Sequence, residues 1–484
     1  MKKTITRKYG AIAIGGLRGA SGKTIVSMGM IKALSDSGYS VAPFKKGPDY
    51  IDPAWHSLSS GKPCHNLDAY LMNQKDIHHS FHTSNGNCDI AVIEGNRGLF
   101  DGFDIDGSYS FAELVKDLNI PLILVVDCKK ASRTIAALVH GCMTFDPDLS
   151  IRGVILNNYA GKRHKDVVKG AIEKYCKIPV LGAIPRINDL PLNERHLGLE
   201  PIYEHDNPQN LLLELSNSIK DNIDIPAVIK IAETYPGRKK SLFSFSKKTN
   251  KQKKIEKSDQ NKVTIGVFKD AAFNFYYEDN LKKLKDCGAE IKFLDSMKDK
   301  DLSGIHGLYI GGGFPETHGQ KISSNKSMLY EIKQYVENNL PVYAECGGLV
   351  YLSQSIEDDN SSYPMCGIFP LRFKLSKKPV GHGYTIFKVS SENPYYPLNT
   401  IVKGHEFRYS KILNPDELKN INTAFTMERG KGLDGKVGGL TYKNVLATFC
   451  HTHDLTPESS AMTNLISAAV EYKSTSSKSE TLGA

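Results

Sequence analysis

Six apolar runs recur between residues 9 and 235, namely YGAIAIGG, SVAPFKK, DIAVIEG, PLILVVD, IRGVILNN and IPVLGAIPR, with helical patterns between them. Such alternation predicts βαβ units and a mainly parallel sheet covered by helices on both faces. From Val263 the pattern restarts with VTIGVFKD, IHGLYIGGG, LPVYAECGG and NVLATFCHTHD. A second α/β domain is therefore expected over 263–472. A length of 484 residues is too great for one hydrophobic core, which agrees with this division.

Composition matters mainly between the two blocks. Ten Lys/Arg against two Asp/Glu fall between Pro236 and Lys262, so this segment holds +8 of the formal net charge of +9. Few of its residues could enter a core, and 236–262 is expected to be a solvated basic linker. With the excess charge confined there, nothing points to nucleic acid as a partner. The longest apolar runs, such as PLILVV at 121–126, reach only about a third of the roughly 20 residues a membrane helix needs. The basic start runs straight into a strand without a cleavable apolar core, so a cytoplasmic domain is expected, with no membrane contact. Nine irregularly spaced cysteines, with no Cys-x-x-Cys pair, predict neither a disulfide framework nor structural zinc. The final residues, 473–484, are expected to be a disordered tail.

The strand AIAIGG leads into GLRGASGKT at 16–24 and then into a helical pattern. Strand, Gly-rich turn, Gly-Lys-Thr and helix form an arrangement in which backbone N–H groups cradle phosphate. Gly16, Gly22, Lys23 and Thr24 are thus expected at ATP, with Thr24 on Mg²⁺. The loop is one residue longer than the usual pattern, because Leu17 stands where a glycine is expected. That length resembles the dethiobiotin-synthetase group of P-loop ligases. FKKGPDYIDPAWH at 44–56 ends the next strand with two lysines and two carboxylates, at the sheet edge where ligands bind. Asp49 is suited to ligate Mg²⁺, and Lys45 to offset charge on a transferring phosphoryl group. A third strand ends at Glu94, followed by Asp101. Carboxylates at separate strand ends suit metal and substrate binding.

In PVYAECGGLVYL an apolar strand ends at Cys346 and a helical pattern follows two glycines. A nucleophile on such a turn stands exposed above its sheet. The N–H of Gly347, joined by one from Gly312 or Gly313 in GGGFPE, would form an oxyanion hole. The base is expected in ATFCHTHD, as His451 or His453. Its orienting carboxylate stays open between Asp454 and none.

GPDYIDP, NLD at 66–68, EGNRGLFDG, ILN at 155–157, RHLGL at 195–199, DAAFNFYYEDNL at 270–281, GGGFPE, AECGGLVYL and GHEF at 404–407 occur in this order. Together they resemble the cobyrinate a,c-diamide synthases, a family of cobyrinate/cobyrate synthase-type glutamine amidotransferases, over about 9–472. The resemblance implies an N-terminal P-loop, dethiobiotin synthetase-like parallel-sheet domain and a C-terminal class I glutamine amidotransferase-like α/β domain. It implies that ATP, L-glutamine and a tetrapyrrole acid are substrates, with Mg²⁺ as cofactor, and it is compatible with a homodimer. The reaction would amidate the a and c acetate carboxylates of cobyrinate through an acyl phosphate. The same chemistry on sirohydrochlorin, Ni-sirohydrochlorin or sirohaem is the alternative. A non-catalytic ATP-binding scaffold is the rival from another class, disfavoured by intact Lys23, Asp49, Cys346 and His451. By resemblance Asp49, Tyr50, Glu94 and Asp101 face ATP, metal or the substrate carboxylate, Asn157 lies near the base, and His451 is the catalytic histidine. Departures from the family pattern are Arg408 in GHEFRYS, Lys46, Asn96-Arg97, and Arg18-Gly19 in the loop. All but the last pair are expected near the tetrapyrrole, where extra cations suit a carboxylate-rich acid.

The basic linker yields a direct expectation. Limited proteolysis should cut first between about 236 and 262 and release two compact fragments, read by mass spectrometry; early cleavage elsewhere would refute a solvated linker.

Overall fold

The computed structural model describes residues 9–86, 88–186, 194–195, 198–237, 262–455 and 461–482. The chain divides into two compact units, one formed by 1–69 with 74–248 and the other by 70–73 with 249–484. Most of the segment read as a linker lies outside the described residues.

In the first unit the strands are β1 Gly10–Gly16, β2 Val41–Lys46, β3 His65–Leu67, β4 Ile90–Glu94, β5 Leu122–Asp127, β6 Ile151–Tyr159 and β7 Val180–Pro185. They form one sheet in the order β3-β2-β4-β1-β5-β6-β7. Every pairing is parallel. The connecting helices are α1 Lys23–Asp36, α2 Ile51–Ser60, α3 Gln74–Ser84, α4 Phe111–Asp117, α5 Thr134–Phe145 and α6 Lys162–Cys176, followed by α7 Pro208–Asn222 and α8 Ile225–Ala232. A two-residue ladder joins β8 Glu194–Arg195 and β9 Gly198–Leu199. All seven residues of β1 are buried, as a central strand with helices on both faces requires. On one face Ile12, Ile14, Val92 and Ile123 pack with Val26, Met30 and Leu34 of α1 and with Ile219 and Val228 from α7 and α8. This packing sets α1 over the end of β1, so the intervening loop wraps the C-terminal edge of the sheet.

The second unit has strands β10 Thr264–Phe268, β11 Glu290–Leu294, β12 Gly307–Ile310 and β13 Val342–Glu345, followed by β14 Ser355–Glu357, β15 Ser362–Pro364 and β16 Arg372–Leu375. The chain continues through β17 Gly381–Val389, β18 Ile401–Arg408, β19 Ser410–Ile412, β20 Asn422–Arg429, β21 Val437–Tyr442 and β22 Val445–Thr448. Nine of these build a sheet in the order β11-β10-β12-β13-β22-β21-β20-β17-β18. Its first five strands are parallel and the rest antiparallel. Helices α9 Glu278–Asp286, α10 Gly319–Ser324, α11 Lys326–Glu337, α12 Gly347–Leu352 and α13 Ala461–Leu482 complete the unit. The last differs from the disordered tail expected from 473. Ser474, Thr475 and Ser476 turn their hydroxyls back onto carbonyls three and four residues earlier, and Lys473 donates to the Lys262 carbonyl, so polar residues continue the helix.

The loop between β1 and α1 depends on one glycine. Gly22 has φ +84°, and a Cβ there would lie 2.1 Å from Asn157 Nδ2 on β6. Gly22→Ala should therefore lower the stability of this unit by about 1–3 kcal/mol in urea unfolding, with Asn157→Ala in the same chain relieving the steric part. Full stability of the single variant would show that the loop is not held as described.

Candidate active sites

At the C-terminal edge of the first sheet, parallel strands bring charged termini side by side. Lys45 pairs in register with Glu94 on β4 and with Asn66 on β3. Its ammonium is buried and lies 2.5 Å from Asp52 Oδ2, 2.8 Å from Glu94 Oε1 and 3.9 Å from Asp49 Oδ2. Burial alone would lower its pKa, but Asp52, Glu94 and Asp49 outweigh that and raise it. Glu94 is likewise fully enclosed, yet Lys45 and His56 hold its carboxyl below the usual range. Thr24 Oγ1 lies 2.7 Å from Glu94 Oε1 and 3.2 Å from Asp52 Oδ2. Hydroxyl and carboxylate oxygens thus converge on one point, a donor set that fits a hard divalent cation.

Lys23 donates to the Arg18 carbonyl at 2.9 Å, and burial lowers its pKa against the pull of Glu94. The carbonyl of Gly16 accepts from Leu99 N–H at 2.8 Å, which ties the loop to the turn after β4. In that turn Asp101 accepts from Gly98 N–H at 2.9 Å. Asn157 donates to the Ser21 carbonyl at 3.1 Å, which ties the end of β6 to the loop expected to hold ATP. Arg18 reaches Asp127 at 2.9 Å.

Asp49 was expected on Mg²⁺ with Thr24 and Glu94; the carboxylate that stands with Glu94 at Thr24 Oγ1 is Asp52, while Asp49 Oδ2 is 3.9 Å from the Lys45 ammonium. Asp49 Oδ1 accepts from Ile51 and Asp52 N–H at 3.0 and 3.3 Å and so caps the first turn of α2, which Tyr50 precedes. Burial and the neighbouring Asp52 raise its pKa. His56, four residues after Asp52, sets Nε2 2.5 Å from Glu94 Oε2. Sequence reasoning missed both Asp52 and His56, although i,i+4 polar residues on the helix after GPDY were the available signal.

In the second unit Cys346 follows β13 directly and opens α12 with φ +50° and ψ −102°, a strained conformation for a residue with a Cβ. Its N–H donates to the Thr448 carbonyl at 2.7 Å. His451 is hydrogen-bonded to Cys346. The other ring nitrogen, Nδ1, is 3.4 Å from Glu345 Oε2. Glu345 is held in turn by the hydroxyls of Tyr309 and Tyr343 at 3.1 and 3.2 Å and by Thr452 N–H at 3.2 Å. The carboxylate against His451 is thus that of the residue before Cys346, 106 positions away in the chain. Asp454 instead accepts from Met462 N–H, and His453 faces Asp279 at 3.4 Å.

Gly312 was one of two choices for the oxyanion hole. Its N–H is engaged by the Phe275 carbonyl at 3.3 Å, and the absence of a side chain admits His451 Cε1 to within 2.6 Å of where a Cβ would stand. Gly313 has φ +150°, and its nitrogen lies 3.2 Å from where a Cβ of Gly347 would stand. Gly347 opens α12, where a helix has no internal partner for its N–H. The glycine of GGGFPE whose nitrogen comes close to Gly347 without a partner among the backbone hydrogen bonds above is therefore Gly313. Arg408, expected near a tetrapyrrole, is buried in this unit 3.8 Å over the Phe449 ring. It donates to the Ser410 and Gly432 carbonyls.

Burial would lower the pKa of His451, but its hydrogen bonds with Cys346 and Glu345 push it up to about 10. The folded protein therefore holds this proton more tightly than the unfolded chain, whose histidine titrates near 6.5. The stabilisation is complete below about pH 6.5 and is lost as pH rises through about 10. Urea unfolding followed across this range should show that loss, and Glu345→Gln should flatten it by removing one of the two stabilising partners. An unchanged slope would place Glu345 outside the relay.

Two family profiles match the chain: a CobQ/CobB/MinD/ParA nucleotide binding domain over residues 12–198 and a CobB/CobQ-like glutamine amidotransferase domain over 264–458. A cobyrinate a,c-diamide synthase of Magnetococcus marinus is 38% identical over 445 residues, covering 91% of this chain and 93% of that protein. Proteins of the same name from Archaeoglobus fulgidus and Methanosarcina barkeri are each 36% identical, covering 93% and 96% of this chain and 95% and 96% of theirs. Among the described residues no helix is long and apolar enough to cross a membrane. With both domain types in order and this similarity along nearly its whole length, the chain belongs to the cobyrinate a,c-diamide synthase family of glutamine-hydrolysing ligases.

Proposed function

We propose that the protein amidates the a and c acetate carboxylates of cobyrinate in cobalamin biosynthesis, using ATP and glutamine. One observation carries this reading: a thiol–imidazole–carboxylate relay and a phosphate loop facing clustered carboxylates occur in one chain whose full-length relatives bear that name. At the second unit, Cys346 Sγ attacks the glutamine amide carbon, and Gly313 and Gly347 N–H groups receive the developing oxyanion. His451, kept protonated by its place between Glu345 and Cys346, delivers its proton to the leaving ammonia and regains one from the water that releases glutamate from the thioester.

In the first unit, the loop 16–24 receives ATP, with Lys23 at the terminal phosphates. A substrate carboxylate oxygen attacks the γ-phosphorus and ADP leaves; ammonia then attacks the acyl carbon and phosphate leaves, yielding the carboxamide. Lys45 offsets charge on the phosphoryl group. Thr24, Asp52 and Glu94 would hold Mg²⁺, which supplies charge neutralisation at the phosphates. A second reading keeps this chemistry for a more carboxylate-rich tetrapyrrole and is favoured by the cations Lys46 and Arg97 beside this edge.

Mass spectrometry after incubation with ATP, glutamine and a panel of cobyrinate, sirohydrochlorin and sirohaem tests the substrate. A diamide from cobyrinate is expected, and none from any acid would refute the reading. Variants test the division of labour. Cys346→Ala should abolish glutamine-dependent amidation and keep it with ammonium salts. Lys23→Ala should lower amidation by about 10²-fold or more with either nitrogen source. Rescue of Lys23→Ala by ammonium, or loss of both activities in Cys346→Ala, would overturn the assignment.

A further inference from the structure

Lys46, the last residue of β2, is a buried cation that the mechanism above does not use. It is 5% exposed, yet among the described residues its ammonium makes no hydrogen bond and no ion pair within 4 Å. Burial lowers its pKa; Asp68 opposes that through longer-range attraction, whereas Arg97 and Lys45 reinforce it by repulsion. An ammonium with this little access to water and no partner is unfavourably placed, and a second cation near it adds repulsion. An anion that joined it would relieve both the lost hydration and the repulsion.

The place of Lys46 indicates which anion. Lys45 and Lys46 are consecutive on one strand, so their side chains leave opposite faces of the sheet. Lys45 takes the face with Asp52 and Glu94. Lys46 pairs in register with Leu67 on β3. Its charged neighbours therefore come from the residues after β3 and β4, Asp68 and Arg97, where Arg97 is exposed and Asn96 stands against Gly47. The phosphate loop follows β1, separated from β2 by β4 and so by about 10 Å. Phosphates on that loop have their own cation in Lys23.

We infer that Lys46 and Arg97 form a carboxylate-binding subsite that holds a second, non-reacting carboxylate of the tetrapyrrole acid while the first reacts on the phosphate-loop side of this sheet edge. This rests on the amide-synthetase reading and adds to it a specificity-determining pair. A substrate bearing several acidic side chains on one ring would engage both faces of the β2 end at once, and an analogue lacking the second carboxylate would lose the charge-assisted bonds.

Cobyrinic acid and ATP are titrated separately against full-length wild type, Lys46→Met, Lys46→Arg and Arg97→Gln, the acid by its absorbance and ATP by calorimetry. Lys46→Met should weaken cobyrinic acid about tenfold or more, Arg97→Gln by less, and Lys46→Arg by under about threefold, with ATP affinity the same throughout. Its melting temperature should be equal to or above that of wild type, because an unpaired buried charge has been replaced by an apolar chain of similar length. Unchanged affinity for the acid in Lys46→Met, or a lowered melting temperature, would overturn the subsite. Weakened ATP with unchanged acid would assign the anion to a phosphate and overturn it too. If wild type binds ATP but not cobyrinic acid, the proposed substrate falls; sirohydrochlorin in the same titration then decides Lys46 by the same criteria, and binding of neither acid refutes both.

Discussion

A charge taken out of water must be matched inside the protein, and this requirement organises both units. Lys45 is the clearest case. Its ammonium is sealed beneath the edge of the first sheet, and its placement is tolerable because Asp52 and Glu94 lie within 2.8 Å. The match is mutual, since the same lysine keeps Glu94 ionised in a setting that would otherwise protonate it. His56 then anchors the far oxygen of Glu94, and Thr24 meets the near one. Removing Lys45 would leave several carboxylates repelling one another within one small volume, so the phosphate loop, α2 and the end of β4 rely on a single cation.

The second unit meets the same requirement with hydrogen bonds. Glu345 is buried beneath the nucleophile, where Tyr309, Tyr343 and Thr452 surround it with donors. Those donors keep a carboxylate available for His451, and the raised pKa of that imidazole follows from its position between Glu345 and Cys346. In each unit the reactive groups stand where parallel strands end. There the backbone runs out of sheet partners, side chains from neighbouring strands come within a few ångströms, and helix N-termini point their N–H groups outward. Lys46 is the exception to matched charge, and an unmatched charge at such an edge is a reason to look for a ligand.

Periodicity made the two α/β blocks legible, because a strand buried on both faces is apolar throughout and its helices are spaced between such runs. The chemistry of single positions was legible where one stretch of chain carries it: the loop 16–24, and Cys346 between β13 and α12. What remained hidden depends on residues far apart. Glu345 reads as the end of an apolar strand, and nothing in PVYAECGG shows that a histidine 106 residues later lies against it. Asp49 and Asp52 are equivalent in GPDYID; only the capped first turn of α2 commits one to the backbone and frees the other for Thr24. Arg408 looked like a ligand-facing cation, and only packing over Phe449 shows it enclosed.

The amino-acid sequence by itself determined the class of fold, the loop at 16–24, the strand-to-helix turn at Cys346 and the family, because these rest on local spacing and on motifs contiguous in the chain. Tertiary structure alone decided which carboxylate stands at Thr24, which one lies against His451, which glycine of GGGFPE comes close to Gly347, and which cation at the sheet edge lacks a partner. Those choices turn on ångström-scale distances between segments that meet only when parallel strands align, and the Coulomb and desolvation terms that separate a paired charge from an unpaired one vary steeply over such distances.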